Sequence, residues 1–536
     1  MNLLDKKHPT VVIGPPGTGK TTFILDKIEE HLANDVSIDE IAFFSFSNKA
    51  VDEAKQRASE KFKIASSRLE NFSTLHSFAL RQMGLTREHI MSNNDWRNIS
   101  NELRINININ VSNDNDIFFN NYDDKYIDLI EKAKRRDIPL RDCWAMFAKD
   151  IIWHKLEYID KGLKEYKSGG YEQFTSGTNG YLVKDQGPKV DFTDLITNYV
   201  KGSFFKSFKV VFFDESQDMS TIQWKMAEKI WSNSEKSYVA MDPNQAIYTW
   251  ADADVSRALQ VKEEAKNLIV LDESKRVPKK VWEIVNRVEE QIASSRDIKW
   301  SPANRDGSVE FIRGMFHLNM DEGSWLLMGR TRTIRDDMEE VMRKKNIFFR
   351  VKLKDSKYRY SIGTKERNAI LTWKDLMRSE TNEVPIRLIE NLYKCLGKEF
   401  VARGNKKLIA EQRKNFPDKK LSFNNLKDDF GLLAEFGTPW AEVMTTINTE
   451  TKAYLENLET RGENLALEPR VTLSTIHQQK GGEADNVVVS LDIGKMAYEE
   501  YRVNPVNEHR LFYVAFSRAK ENLYIITPQS REAYRI

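Results

Sequence analysis

Gly14-Pro15-Pro16-Gly17-Thr18-Gly19-Lys20-Thr21-Thr22 lies between an apolar run, Val11-Val12-Ile13, and a segment that carries Phe23, Ile24, Ile28 and Leu32. Strand, glycine-rich turn and amphipathic helix, in that order, are the setting of the phosphate-loop pattern GxxxxGK[ST]. Gly14, Gly17 and Gly19 let the backbone turn sharply, so that its N–H groups face an anion at the helix N-terminus. Lys20 is placed to neutralise the β- and γ-phosphates, and Thr21 to offer its hydroxyl to Mg²⁺. The stretch predicts a nucleoside-triphosphate site on a sheet domain, with residues 14–22 as its cradle.

Working outward, further short apolar runs read as buried parallel strands: Ile41–Phe46, Phe208–Phe213, Ser237–Met241 and Asn267–Leu271. They alternate with helical patterns, as a parallel sheet covered on both faces requires. The run at 208–213 ends in Asp214-Glu215, at the carboxyl end of a strand, where open α/β sheets place their ligands. Asp214 there can hold Mg²⁺ through its water shell, and Glu215 can polarise the water that attacks the γ-phosphate. A second set of runs, Val309–Ile312, Trp325–Met328, Val471–Ser474, Val487–Ser490 and Asn522–Thr527, predicts a second sheet domain. Each sheet is interrupted by a polar, helix-rich stretch, and the first of these carries a loop-like segment at Ser176–Gly180. No internal repeat is present.

The chain has 536 residues, enough for about three or four domains. Forty per cent hydrophobic residues supply ample core, and the net charge of +2 means that any basic track is local. Two cysteines, Cys143 and Cys395, lie far apart and in no metal-ligand spacing, which excludes a disulfide scaffold or zinc finger and points to a reducing compartment. The first eight residues hold no apolar core of signal-peptide length, and no apolar run is long enough to span a membrane. The expected location is the cytoplasm: bacterial, or that of a host if the protein is viral.

Seven boxes in order now make a resemblance specific. Asp214-Glu-Ser-Gln-Asp218 resembles the DExQD box of UvrD-, Rep- and PcrA-like DNA helicases of superfamily 1A. Residues 44–50, 73–78 and 240–250 resemble motifs Ia, Ib and III, and Leu271-Asp-Glu-Ser-Lys-Arg276 resembles motif IV. Residues 475–483 and 508–519 are similar to motifs V and VI. With the phosphate loop, the set spans nearly the whole chain. The resemblance implies two RecA-like P-loop parallel-sheet domains, each with a largely helical insertion. Domain 1A would be 1–87 with 204–275, insertion 1B 88–203, domain 2A 276–353 with 470–536, and a reduced insertion 2B 354–469.

Carried onto matching positions, the resemblance implies that Gln245 senses the γ-phosphate or the attacking water. It implies that Arg276 and Arg518 act as arginine fingers from the second sheet domain, and that Glu483 contacts the ribose. Permanently charged, forked guanidinium groups suit the charge on a transferring phosphoryl group. Two positions depart from the family pattern: residues 1–13 contain no glutamine, and Lys275 stands where the family has the tyrosine that stacks on adenine. Relaxed base selectivity is the expectation.

For the strand, the resemblance points to Phe46, His76, Tyr248, Trp250 and His477. Tyr248 and Trp250 share an i, i+2 spacing that puts both rings on one side of an extended segment. Trp250 follows a polar turn and precedes Ala251-Asp252-Ala253-Asp254, a setting that favours strand contact over core packing. His76 and His477 fit a strand contact or a satisfied core histidine equally. Lys132-Ala-Lys-Arg-Arg136 and Lys406-Lys407 fit phosphate contacts or solvated faces.

The resemblance thus implies an ATP- and Mg²⁺-dependent 3′→5′ single-stranded DNA translocase and helicase acting at single-strand/duplex junctions, a DNA-stimulated ATPase of replication or repair. The alternative is a nucleotide-gated DNA-end sensor that controls a partner such as a nuclease; a replication or repair factor is another possible partner. The chain ends soon after the last box, so no appended nuclease domain is expected. A kinase or metabolic ATPase fails on motifs III, V and VI.

Overall fold

The computed structural model describes residues 8–107, 110–111, 117–118, 123–148, 150–169, 188–204, 206–292, 298–353 and 357–536. The N-terminal residues 1–7, the expected loop at Ser176–Gly180 and the boundary residue Lys354 lie outside them. The chain divides into two compact units, Met1–Gly307 with Glu500–Arg518, and Ser308–Glu499 with Ala519–Arg535.

The first unit is built on a six-stranded sheet: β1 (Thr10–Ile13), β2 (Ile41–Ser45), β3 (Phe72–Ser73), β4 (Val210–Asp214), β5 (Lys236–Met241) and β6 (Asn267–Val270). The strands run in the order β3-β2-β4-β5-β1-β6, all parallel. Alternation of side chains explains the apolar runs. On β1, Val11 and Ile13 enter one core and Val12 the other; on β2, Ala42 and Phe44 oppose Ile41 and Phe43. Both faces are dry, so neither can be polar. Each such fully buried Val, Ile or Phe contributes about 1.5–3 kcal/mol.

The insertion between β3 and β4 includes the helices Asn93–Glu102, Asp124–Arg135, Leu140–Phe147, Trp153–Lys167 and Phe192–Lys201. Its core gathers Trp96, Tyr126, Ile127, Leu156 and Ile159. Residues 276–307 and 500–518, assigned from sequence to the second sheet domain, group by contact with the first unit. Helix Lys279–Glu289 packs on helix Pro505–Phe516, which in turn packs on the turn Pro243–Gln245 at the end of β5.

The second unit carries a seven-stranded sheet: β7 (Ser308–Ile312), β8 (Trp325–Gly329), β9 (Phe349–Lys352), β10 (Tyr358–Tyr360), β11 (Val471–Thr475), β12 (Ala484–Ser490) and β13 (Ala519–Ile526). The order is β7-β13-β12-β8-β11-β9-β10, parallel except for the edge pair β9–β10. Its insertion is a packed helical body in its own right, with Trp373, Tyr393, Phe423 and Leu455 in one core. The expected class, two largely parallel α/β sheets each interrupted by a mainly helical insertion, is the one observed.

Candidate active site

The phosphate loop leaves the carboxyl end of β1, and Lys20 opens the helix Lys20–Ala33. Gly17 and Gly19 have φ of 75° and 87°, a region that residues with a Cβ seldom adopt. Gly17 is also needed for space, because a Cβ there would run into Arg276. The strand Glu273–Pro278 holds the loop from outside. The Lys275 N–H donates to Gly17 O at 2.8 Å, and the Ser274 hydroxyl donates to Pro16 O at 2.7 Å. Lys20 Nζ donates to Gly14 O at 2.7 Å, and the Thr18 hydroxyl donates to Pro15 O at 2.9 Å. Thr22 points elsewhere: its exposed hydroxyl accepts from Arg57 on the helix Asn48–Phe62.

Thr21 donates its hydroxyl hydrogen to Asp214 Oδ2 at 2.8 Å. The Asp214 carboxyl is pushed up to about 6 by burial and by the charge of Glu215, although Lys20 and the Thr21 bond pull it down. A carboxylate left short of positive charge, beside a hydroxyl oxygen, is a donor set that fits a hard cation such as Mg²⁺. Glu215 follows with φ 53° and ψ 37°, left-handed for a residue with a Cβ. Strain of this kind costs about 1–3 kcal/mol and gathers at sites where position matters.

A relay of side chains runs from Glu215 across the strand ends. Gln217 donates to Glu215 Oε2 at 2.6 Å and accepts from the Asp242 N–H at 3.0 Å. Gln245 donates to Asp242 Oδ2 at 2.7 Å, and Arg518 Nη2 donates to Gln245 Oε1 at 3.0 Å. Arg518 is almost wholly buried and is further tied by Nε to Val514 O at 2.9 Å. Burial raises the Asp242 carboxyl above its ordinary range. Beneath the relay, Glu289 accepts from Asn244 at 2.9 Å and from the Trp300 indole at 2.7 Å, and burial pushes its carboxyl up to about 7.

Five residues of the relay and cradle were quoted within their sequence boxes but given no role, or were not singled out at all: Gln217, Asp242, Ser274, Glu289 and Trp300. Box membership is the signal that could have marked Gln217, Asp242 and Ser274. Glu289 and Trp300 lie in no box and have no local signature.

The aromatic candidates of the first unit form a ladder. Phe46 stacks on Tyr248 with centroids 5.3 Å apart, and Tyr248 meets Trp250 edge-on at 6.1 Å. Trp250 is 51 % exposed, which leaves about half of the residue open to a planar ligand. Tyr248 stands three residues past Gln245, so relay and ladder share one short segment of chain. His76 packs edge-on against Phe192 at 6.0 Å, and burial lowers its imidazole to about 4. His477 lies in the second unit, in the turn His477–Gln479, and burial with the Arg330 charge lowers it to about 3. Both rings are neutral at physiological pH, so neither offers a charge to phosphate. Glu483, also in the second unit, pairs with Lys520 at 2.9 Å.

The basic run at 132–136 is committed internally: Lys132, Arg135 and Arg136 bind Asp252, and Lys134 binds Glu131, Asp191 and Asp194. Lys406 donates to Leu396 O at 2.7 Å, and Lys407 faces Glu411 at 3.8 Å. Among the described residues no helix is long and apolar enough to cross a membrane.

Residues 2–266 match the UvrD/REP helicase N-terminal domain, and residues 470–526 match the UvrD-like helicase C-terminal domain. The chain is 24 % identical over 333 residues to the ATP-dependent DNA helicase Rep of Buchnera aphidicola subsp. Baizongia pistaciae, covering 59 % of this chain and 43 % of that protein. It is 24 % identical over 263 residues to a probable DNA helicase II homolog of Mycoplasma pneumoniae, covering 46 % of this chain and 34 % of that protein. It is 22 % identical over 341 residues to the ATP-dependent DNA helicase srs2 of Schizosaccharomyces pombe, covering 59 % and 37 %. The chain therefore spans less than half the length of these curated relatives. The two domain matches, in order on two interrupted parallel sheets, establish that the chain belongs to the UvrD/Rep helicase family.

Proposed function

We propose that this chain is an ATP-dependent motor that moves 3′→5′ along single-stranded DNA and separates duplex at single-strand/duplex junctions. One observation carries the reading: the relay Glu215–Gln217–Asp242–Gln245–Arg518 and the aromatic ladder Phe46–Tyr248–Trp250, whose last ring is exposed, are built on the same segment from Asp242 to Trp250. A nucleotide site and a base-stacking surface thus meet on one short stretch of chain, Asp242 to Trp250. The names of the relatives support a DNA substrate, and the polarity rests on the likeness of the DESQD and TIHQQKGGE boxes to the 3′→5′ group.

Each residue has a role in this account. The loop N–H groups and Lys20 hold the phosphates, and Thr21 with Asp214 would hold Mg²⁺, which would supply positive charge to the transferring phosphate. Glu215 takes the proton of the attacking water, and Gln217 fixes the orientation of its carboxylate. Gln245, Arg276 and Arg518 neutralise charge on the transferring group, and Glu483 contacts the ribose. Phe46, Tyr248 and Trp250 form the stacking surface, with His76 and His477 as neutral strand contacts. The four-part division into 1A, 1B, 2A and 2B at the boundaries given above belongs to the same proposal.

The test is ATP hydrolysis by the purified protein with and without oligothymidylate. Stimulation supports the motor. Its absence would overturn the strand reading.

A further inference from the structure

Asp252 stands two residues past Trp250 and has φ 67°, left-handed for a residue with a Cβ. Its carboxylate is fully enclosed, yet three cations reach it: Lys132 Nζ at 3.1 Å, Arg135 Nε at 2.9 Å and Arg136 Nε at 2.7 Å. All three come from the last turn and C-cap of the helix Asp124–Arg135, inside the first insertion. Although burial pushes the carboxyl up, Arg135, Lys132 and Arg136 hold it below its ordinary value. Arg135 also pairs with Asp128 at 3.2 Å.

The next residues are pinned from the other side. Ala253 bridges to Ser220, the Asp254 N–H donates to Met219 O at 2.8 Å, and the Thr221 hydroxyl donates to Asp254 Oδ2 at 2.7 Å. Met219 closes the turn Ser216–Asp218, which starts immediately after Glu215. The loop carrying Trp250 is therefore fixed between the insertion and the segment that bears the catalytic carboxylate.

A buried ion cluster is a poor way to gain stability, since an apolar contact of the same volume often holds a fold as well. What three directional bonds on a left-handed residue do supply is one orientation of the loop. We propose that Asp252 is a positioning residue for strand binding. Held by Lys132, Arg135 and Arg136, it sets Trp250 in the orientation that receives a base, so that grip on the strand depends on the first insertion. This role rests on the strand-motor reading above.

The experiment titrates oligothymidylate into the full chain, following ATP turnover, and repeats the titration with an oligonucleotide carrying one 2-aminopurine, whose fluorescence reports stacking. Asp252→Asn keeps the shape and tolerates the left-handed backbone, but loses the charge. It is expected to raise the half-saturating oligonucleotide concentration about tenfold, with plateau turnover within about twofold and the 2-aminopurine quench largely lost. Arg136→Gln, which removes one grip from the more exposed side, is expected to raise it about threefold, and it decides the matter alone should Asp252→Asn not fold.

Half-saturation and quench equal to wild type in the variants that fold would overturn the proposal. So would a loss of plateau turnover with half-saturation unchanged, which marks a purely structural residue. If oligothymidylate neither binds nor stimulates the wild-type protein, the strand reading itself fails, and this role with it.

Discussion

Arg518 Nη2 donates to Gln245 Oε1 at 3.0 Å, joining residues 273 positions apart in the chain. Both side chains are buried, and Gln245 is itself held by Asp242. A permanently charged guanidinium is thus fixed at the end of a relay that begins at Glu215. Preorganised cations of this kind act on charge that develops during phosphoryl transfer.

Arg518→Ala should therefore lower kcat by about 10²–10³-fold while KM for ATP moves by less than about threefold. Steady-state kinetics at saturating oligonucleotide gives both numbers. A raised KM at unchanged kcat would show that Arg518 serves ground-state binding only.

Lys20→Ala and Glu215→Gln should each abolish turnover, the second by about 10²-fold or more, and both proteins should still bind an oligonucleotide. Fluorescence anisotropy beside a phosphate-release assay separates the two properties. Normal turnover by Glu215→Gln would remove Glu215 from the role of base.

Trp250→Ala should weaken strand binding by about 1–3 kcal/mol, the usual worth of one base–aromatic stack, and should affect DNA-free hydrolysis less. Isothermal titration with oligothymidylate measures the first effect. Unchanged affinity would place the stacking surface elsewhere.

Much of this architecture was readable from local pattern. The strands are short, apolar and flanked by turn residues, and the loop at 14–22 combines a lysine with glycines at positions that need positive φ. Long-range pairing was not readable. The run at 132–136 was read as phosphate contacts or a solvated face, yet Lys132 binds an acid 120 residues away and Lys134 one 57 residues away. Nothing near Asp252 announces its left-handed backbone or its three partners. Glu289 is equally silent, because its hydrogen bond from Asn244 exists only once distant segments meet. Thr22, read as part of the cradle, likewise has a side-chain partner that local pattern does not show: its hydroxyl accepts from Arg57, 35 residues away.

The Asp214 carboxyl, at about 6 rather than its ordinary 3.8, ties metal binding to pH. Proton and divalent cation compete for the same oxygens, so the half-saturating Mn²⁺ concentration on nucleotide-free protein should rise about tenfold from pH 7 to pH 5. The sign for metal-free stability is the reverse of the usual acid case. The folded carboxyl keeps its proton to higher pH than the unfolded one, so this group favours the fold more as pH falls from about 6 toward 4. Paramagnetic resonance of Mn²⁺ across this range checks the affinity, and Asp214→Asn should flatten the dependence.

Lys275 is exposed and contributes its backbone N–H to the phosphate loop, not an aromatic face to the base. Purine and pyrimidine triphosphates should then be hydrolysed with kcat/KM values within about tenfold of one another. A nucleotide panel decides this, and strict use of ATP alone would show that base recognition comes from other residues.

Unwinding of duplexes bearing a 3′ or a 5′ single-stranded tail, run beside ATP hydrolysis on the same DNA, tests the central claim most directly. The account predicts strand-stimulated hydrolysis and strand separation from the 3′ tail only. Stimulation without separation from either tail would contradict the helicase and leave a nucleotide-gated strand sensor, and separation from the 5′ tail would overturn the polarity.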